Sequence, residues 1–393
     1  MAGTQIAYHR PCASTRTDAR QCFPVNAVGS DVELESEVVR QPISIDDVIV
    51  QVDPQLLQKM MESAFYAHPC QSVEPVQTLT AWLLFAGDFV YKVKKPVYFS
   101  FIDARTPAKR YRLCHDEVLL NRRLAPDVYL GVAGITARSE TYKLVPNATL
   151  SEPHVREFAI VMRRLPSERT LSQMVASQTI GLAEIQRLAD KLAAFHFNCS
   201  IAKSKIWGSA PALSQLMAAV VTEAEALIAD TVTRNRLAAA AGYLRGYVIS
   251  HQQLLDKRAR NGRVRDGHGD LRVNSVCLSP QAPEIIGCVE YSEGLRYCDV
   301  ASELASMMLD LEMAGRTDLA DALVQAYIAA SEDAELAGLI PFYKCYRALR
   351  RGQFEILTSL QTELPRERRM LARNYASRWF QLAERVAAAA ALY

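Results

Sequence analysis

Strand-forming and helix-forming segments are segregated along this chain, and that segregation limits the folds open to it. Between residues 78 and 165 lie β-branched and aromatic runs, Thr78–Phe85, Phe89–Lys94 and Glu157–Leu165. Ala86-Gly87-Asp88 joins the first two with the turn chemistry of a hairpin. Apolar residues at Leu56, Leu57, Met60, Met61, Ala64 and Phe65 predict a helix over Pro54–Phe65, and Pro107–Leu124 predicts another. After Thr170 the spacing is helical over Leu182–Phe197, Ala212–Ile228 and Asn235–Leu255, then from Asp299 to the end with breaks near Gly315, Pro341 and Pro365. One interruption stands out. Arg263-Val264-Arg265, Val276–Leu278 and Ile285–Val289 read as short strands enclosing a tight loop, His268-Gly269-Asp270-Leu271. Strands first and helices later predict an α+β fold. The expected division is a tail over 1–44 without lasting periodicity, a sheet-plus-helix lobe with a hinge over 45–166, and a helical lobe over 167–393 that holds the loop region 263–290.

The 393 residues are half hydrophobic and 22% charged, enough for a large core, and a net charge of +2 gives no reason to expect nucleic acid as a partner. Nine cysteines lack CxxC pairs and zinc spacing, which predicts reduced thiols and a cytoplasmic setting. No apolar run reaches about 18 residues, so no membrane span is expected. Residues 1–20 lack the apolar core of a secretory signal.

Five positions draw chemical interest. A carboxylate on a short loop between strands, Asp270, is held rigidly and faces outward, as a general base for a hydroxyl must be; an ordinary hydrogen-bonding turn residue is the alternative. His268 shares that loop. Lys92 alternates with Tyr91 and Val93, and a lysine in an apolar strand needs an anion, unless it is a solvated edge residue like Lys94 and Lys95 beside it. Glu117, among Val118, Leu119 and Leu120, is either a surface glutamate or that lysine's partner. His196, near a helix C-terminus, reads as a structural partner. Nine Lys/Arg against three Asp/Glu between Tyr91 and Arg123 suit a polyphosphate or a solvated helix face.

Strand lysine, helix glutamate, hinge, helical lobe and His268-Gly269-Asp270 occur in the order that resembles the aminoglycoside phosphotransferase and choline kinase group, with its two-lobed protein-kinase-like fold. Tyr91-Lys92-Val93-Lys94-Lys95-Pro96-Val97, Asn121-Arg122-Arg123-Leu124-Ala125-Pro126 and Gly267-His268-Gly269-Asp270-Leu271-Arg272 are similar to a branch of uncharacterised bacterial aminoglycoside-phosphotransferase-like proteins. Some of these carry a following P-loop ATPase domain; no GxxxxGK[ST] occurs here, so that half is expected to be absent. The resemblance implies ATP- or GTP-dependent phosphoryl transfer to a small-molecule hydroxyl. Lys92 would bind phosphates, Glu117 would orient it, Asp270 would be the base, and backbone groups at Met162 and Arg163 would meet an adenine edge.

The resemblance also implies magnesium, and here the residues depart from the pattern. The metal-binding asparagine position is Ser275, with Asn274 one place early, and the second metal carboxylate position is Gly287. Glu290 would have to replace it, yet falls on the opposite face from Gly287 in a regular strand. A pseudoenzyme that keeps the fold as a nucleotide-binding or interaction module is the competing expectation. Ala301–Ile340, with eight Asp/Glu and one Arg, suggests either a cationic substrate or solvated helix faces. The sequence leaves the oligomeric state open.

Overall fold

The structure, a computed structural model, describes residues 54–138, 141–202 and 207–390; the tail expected over 1–44 lies outside them. A short helix, α1 (Pro54–Met60), precedes a six-stranded antiparallel sheet. Its strands are β1 (Val73–Gln77), β2 (Ala81–Ala86), β3 (Phe89–Lys94), β6 (Tyr129–Arg138), β7 (Thr141–Pro146) and β8 (Val155–Arg163), in the order β1-β2-β3-β8-β6-β7. Between β3 and β6 the chain makes a two-stranded strap, β4 (Tyr98–Phe99) and β5 (Ile102–Asp103), and then helix α2 (Pro107–Asn121).

Alternation along the strands separates two packed layers. Val90 of β3 and Phe158, Ile160 and Met162 of β8 face α2, meeting Cys114 and Val118. Tyr91, Val93, Ala159 and Val161 face the other way, onto Leu56, Met60 and Tyr66. Thr106 caps α2 by accepting from the Lys109 N–H, and Pro107 sits in the first turn, where its missing N–H costs nothing. The buried residues of α2 are Arg110, Cys114, Glu117, Val118 and Asn121, one face at helical spacing with three polar members. Arg110 pairs there with buried Glu157 of β8.

The second lobe is helical: α3 (Leu171–Ala176), α4 (Leu182–Asn198), α5 (Ala210–Leu227), α6 (Thr231–Ser250), α7 (Gln252–Arg260), α8 (Glu293–Arg296), α9 (Val300–Met313), α10 (Thr317–Ser331), α11 (Leu336–Ser359) and α12 (Arg366–Ala390). One continuous apolar core joins α4, α5, α6 and α9 to α12. Two small antiparallel pairs interrupt them: β9 (Val264–Asp266) with β12 (Tyr297–Asp299), and β10 (Val276–Leu278) with β11 (Pro283–Ile285). Among the described residues, no helix is long and apolar enough to cross a membrane.

Several expectations need correction. The strand expected from Thr78 begins at Ala81, because Thr78 closes a turn with Ala81 through both its backbone and its hydroxyl. The helix expected over Asn235–Leu255 divides at His251, which leaves helical geometry (φ −113°, ψ 21°) between α6 and α7. The break expected at Pro341 lies earlier, at Glu332 in the left-handed conformation, and Pro341 sits inside α11, where it costs one backbone bond. The strand expected over Ile285–Val289 ends at Ile285, with Gly287 at φ +83°. Lys94 and Lys95, read as solvated, are only 3% and 1% exposed.

A buried charge network anchors the helical lobe. Arg258 of α7 is gripped by Asp299 at 2.6 and 2.8 Å and by Asp333 through two bonds of 2.8 Å, all three residues being buried. Asp299 also caps α9 through the Ala301 N–H. Removing the guanidinium strands two carboxylates away from water, so Arg258→Met should destabilise the fold by about 3–5 kcal/mol. Urea unfolding measures this; a loss below about 1 kcal/mol would show that solvent reaches the network.

Candidate active site

Helix α2 places Glu117 under β3, where its two carboxylate oxygens meet two lysines of one strand face. Lys92 Nζ lies 2.7 Å from one oxygen and Lys94 Nζ 2.7 Å from the other. The Lys92 side chain is 21% exposed, whereas Lys94 is enclosed. Lys94 makes a second ion pair, across the lobes, with Glu290. Burial opposes the Glu117 charge, but Lys92 and Lys94 outweigh it and hold the carboxyl at about 2. Burial likewise opposes the Lys94 charge, and Glu117 and Glu290 hold its pKa above the ordinary value.

The end of α2 clamps the loop of the second lobe. Asn121 donates to the Glu117 carbonyl and accepts from the Cys288 N–H at 2.9 Å. Arg122 donates to the Tyr129 and Leu130 carbonyls, and Arg123 to the Asp266 and Gly267 carbonyls at 2.8 and 2.9 Å. The Asn-Arg-Arg run therefore ties helix, sheet and loop.

The loop itself is braced from below. His268 is fully buried, with Nε2 2.9 Å from the Ile286 carbonyl and Nδ1 3.3 Å from the Asp270 N–H. Those partners select the neutral ring with its proton on Nε2, and burial keeps its pKa below the ordinary value. His196 of α4 places its two ring nitrogens 2.8 Å from the Tyr327 hydroxyl and 2.8 Å from Glu303 of α9. Glu303 in turn accepts from the Gly269 N–H, and Arg347 of α11 donates to the Gly269 carbonyl at 2.5 Å. Gly269 has φ +87°, and an added Cβ would meet Val289 at 2.9 Å, so only glycine suits this turn. Asp270, just beyond it, stays partly exposed. Burial alone would raise its pKa; Arg272, Arg351 and Arg347 lower it, so the carboxylate is charged.

The two positions that the resemblance marks for metal are neighbours. A Cβ added at Gly287 would lie 3.8 Å from Ser275 Oγ, and the Ile286 N–H bonds to the Ser275 carbonyl at 2.9 Å. Asn274 is exposed instead. The opposite-face argument against Glu290 does not apply, because residues 286–290 form no strand; Glu290 is committed to Lys94 instead. Among the described residues, no group of three His, Cys, Asp or Glu side chains could hold a metal ion. A hydroxyl and a glycine do not fit magnesium, which takes carboxylate and phosphate oxygens.

At the hinge, Met162 is buried in the sheet, and the Arg163 and Arg164 N–H groups already bond to the Val128 and Asp88 carbonyls at 2.8 Å, so these two amides are engaged. The acidic helices are largely neutralised: Asp310 pairs with Arg351, Glu312 with Lys344, and Asp318 with Arg316. Sequence reasoning missed Lys94, Glu303, Asn121 and Arg347 as site-building residues. The alternation of Lys92 and Lys94 across Val93 was the available signal for the first.

Glu303 makes the brace titratable. Burial would raise its pKa, but the hydrogen bond from His196, the charges nearby and the Gly269 N–H hold it at about 2. A lowered carboxyl pKa contributes stability above its unfolded value that is lost as pH falls toward 2, here on the order of 3 kcal/mol. Glu303→Gln should therefore flatten the loss of stability between about pH 4.5 and 2. Denaturant titrations at several pH values read this slope, and an unchanged slope would assign the acid sensitivity elsewhere.

No family model matches the chain. Uncharacterised proteins of Mycobacterium tuberculosis and Mycobacterium bovis are 30% identical over 297 residues, 74% of this chain and 56% of theirs, so the chain spans about half the length of these curated relatives. Among solved structures, a choline kinase of Cryptosporidium parvum aligns over 80% of this chain and 88% of its own at 11% identity, with a TM-score of 0.51. A thermostable mutant of an aminoglycoside phosphotransferase aligns over 80% and 94% at 13% identity, with a TM-score of 0.46. The likeness to choline kinase carries the fold: the chain has the two-lobed protein-kinase-like architecture, an antiparallel sheet with one packed helix set against a helical lobe.

Proposed function

We propose that this chain is a nucleotide-binding protein of the small-molecule kinase type that binds ATP or GTP through Lys92 with little use of magnesium and transfers phosphate slowly or not at all. The observation that carries the reading is the pair Ser275 and Gly287. They adjoin where metal ligands are expected, neither offers a carboxylate, and Glu290 serves as the counter-ion of Lys94. Phosphoryl transfer relies on metal to bridge the β- and γ-phosphates and offset the developing charge. What remains is the partly exposed Lys92 ammonium, oriented by Glu117, as a direct phosphate contact.

A second reading, phosphoryl transfer to the hydroxyl of a small molecule with Asp270 as base, draws on the braced and charged state of that carboxylate. The structural neighbour is named a choline kinase, which suits a small hydroxylated acceptor. The described cysteines are free thiols, in keeping with a cytoplasmic setting.

Calorimetry with ATP and GTP, in magnesium and in chelator, separates the two readings. Lys92→Ala should weaken binding by roughly ten- to a hundredfold, the worth of a charge-assisted contact of about 1.5–3 kcal/mol. Gly287→Asp should make binding magnesium-dependent. Its Cβ has open space apart from Ser275 Oγ, and the positive φ costs about 1–2 kcal/mol in a non-glycine residue. Tight magnesium-dependent binding with turnover by the unaltered chain would establish the second reading and overturn the first.

A further inference from the structure

Asp270 is surrounded by more arginine than a cationic acceptor would tolerate. Arg272 follows it by two residues, and α11 contributes Arg347, Arg350 and Arg351. Arg347 is fixed by the Gly269 carbonyl and by Ser302 Oγ at 2.9 Å. Arg351, 5% exposed, is fixed by Asp310 and by the Ser306 carbonyl at 2.7 Å, and lies 4.8 Å from the Trp379 ring. Its Nε is buried without a hydrogen-bond partner, and so is the Nε of Arg272. Arg272 Nε stands 3.9 Å from Asp310, beyond hydrogen-bond reach, while its side chain is 31% exposed. Buried donors left unpaired are costly, and an oxyanion satisfies them.

Two of the three carboxylates around this group are already engaged. Asp310 serves Arg351 and the Val273 N–H, Glu223 accepts from Ser100 and Gln353, and Glu355 lies 3.8 Å from Arg368 with one oxygen unpaired. Burial pushes the Arg351 pKa down to about 10; Asp310 and Asp270 oppose this and Arg272 adds to it. The aromatic surface nearby is also unsuited to a cation. Phe101 of the strap stacks on Phe354 at 5.0 Å, and the Arg350 guanidinium sits 5.9 and 5.5 Å from the two rings. A guanidinium thus holds the faces that an alkylammonium ligand would need.

We propose that Arg272 and Arg351 form an oxyanion site beside Asp270, which takes the carboxylate or phosphate of an anionic hydroxy compound directly, without metal. This names the class of small molecule for the acceptor side and rests on the reading of the cleft as a small-molecule kinase site. The anion bonds to the exposed part of the Arg272 side chain, with the enclosed Arg351 guanidinium adding its charge from behind, and leaves its hydroxyl for Asp270.

Calorimetry on the full chain in chelator tests it, with inorganic phosphate, glycerate, glycerol and choline as probes. Phosphate and glycerate should bind and glycerol and choline should not; a preference between the two anions identifies the headgroup. Arg272→Gln should weaken anion binding at least tenfold, and Arg272→Lys should restore part of it. Asp270→Asn should tighten it severalfold by removing a like charge, a response that a phosphate bound at Lys92 would not show. Choline binding without anion binding, or anion binding unchanged in a folded Arg272→Gln protein, overturns the proposal. ATP titrated in the same buffer keeps the two readings apart. Anion binding lost with ATP binding kept removes the oxyanion site alone, and the reverse removes the nucleotide reading alone.

Discussion

The Lys94 ammonium sits between two carboxylates from different parts of the chain, Glu117 on α2 and Glu290 beyond the loop. Neither lysine nor glutamate is stable in such a place alone, since an unpaired buried charge costs several kcal/mol. The three groups therefore require one another, and with them the strand, the helix and the opposite lobe. Once α2 is set by this contact, Asn121, Arg122 and Arg123 reach the Cys288 N–H, the β6 carbonyls and the loop carbonyls in turn. Lys92, on the same strand face, is left with one partner and an open side. An enclosed charge and a partly exposed one thus come from one strand, two residues apart.

The same contact bears on metal chemistry. If Glu290 turned to a dication, Lys94 would keep only Glu117, which it already shares with Lys92. With Ser275 and Gly287 at the neighbouring positions, the cleft has a hydroxyl and a bare backbone where a metal-dependent site has anions. On the proposed reading, affinity for phosphates or carboxylates would come from ammonium and guanidinium groups held in place by the fold, a form of preorganisation that needs no added ion.

Much of the architecture was legible in the order of segments, because periods of two and of 3.6 residues report burial directly. Lys92 could be singled out as a charge in an apolar strand and Asp270 as a carboxylate on a tight loop, whereas Glu117 stood out through the lysine–glutamate pairing of the kinase pattern. Lys94 and Lys95 were misread for a physical reason: three lysines before a proline resemble a solvated edge, and only distant residues permit burial, Glu117 and Glu290 for Lys94, and the Trp82 ring with Glu363 at 3.9 Å for Lys95. Glu303 and Arg347 were invisible for a similar reason. Each acts on the Gly269 backbone from a helix at least 34 residues away, and a backbone group leaves no trace in a side-chain pattern. Local conformation misled in another way at Pro341 and at 286–290, where tertiary packing overrode the usual meaning of a proline and of an apolar run.

The strap between β3 and α2 extends from the sheet onto the helical lobe. Ser100 donates to the Glu223 carboxylate of α5 at 3.0 Å, and Phe101 lies on Phe354 of α11 and 5.5 Å from Tyr291. Together with the Asn121 and Arg123 bonds and the Lys94–Glu290 pair, the lobes are fastened at several separate points. Any widening of the cleft has to release an aromatic stack and a set of charged contacts at once. A ligand whose entry required that widening would exchange at the rate of lobe opening rather than of diffusion, with slow association and long residence.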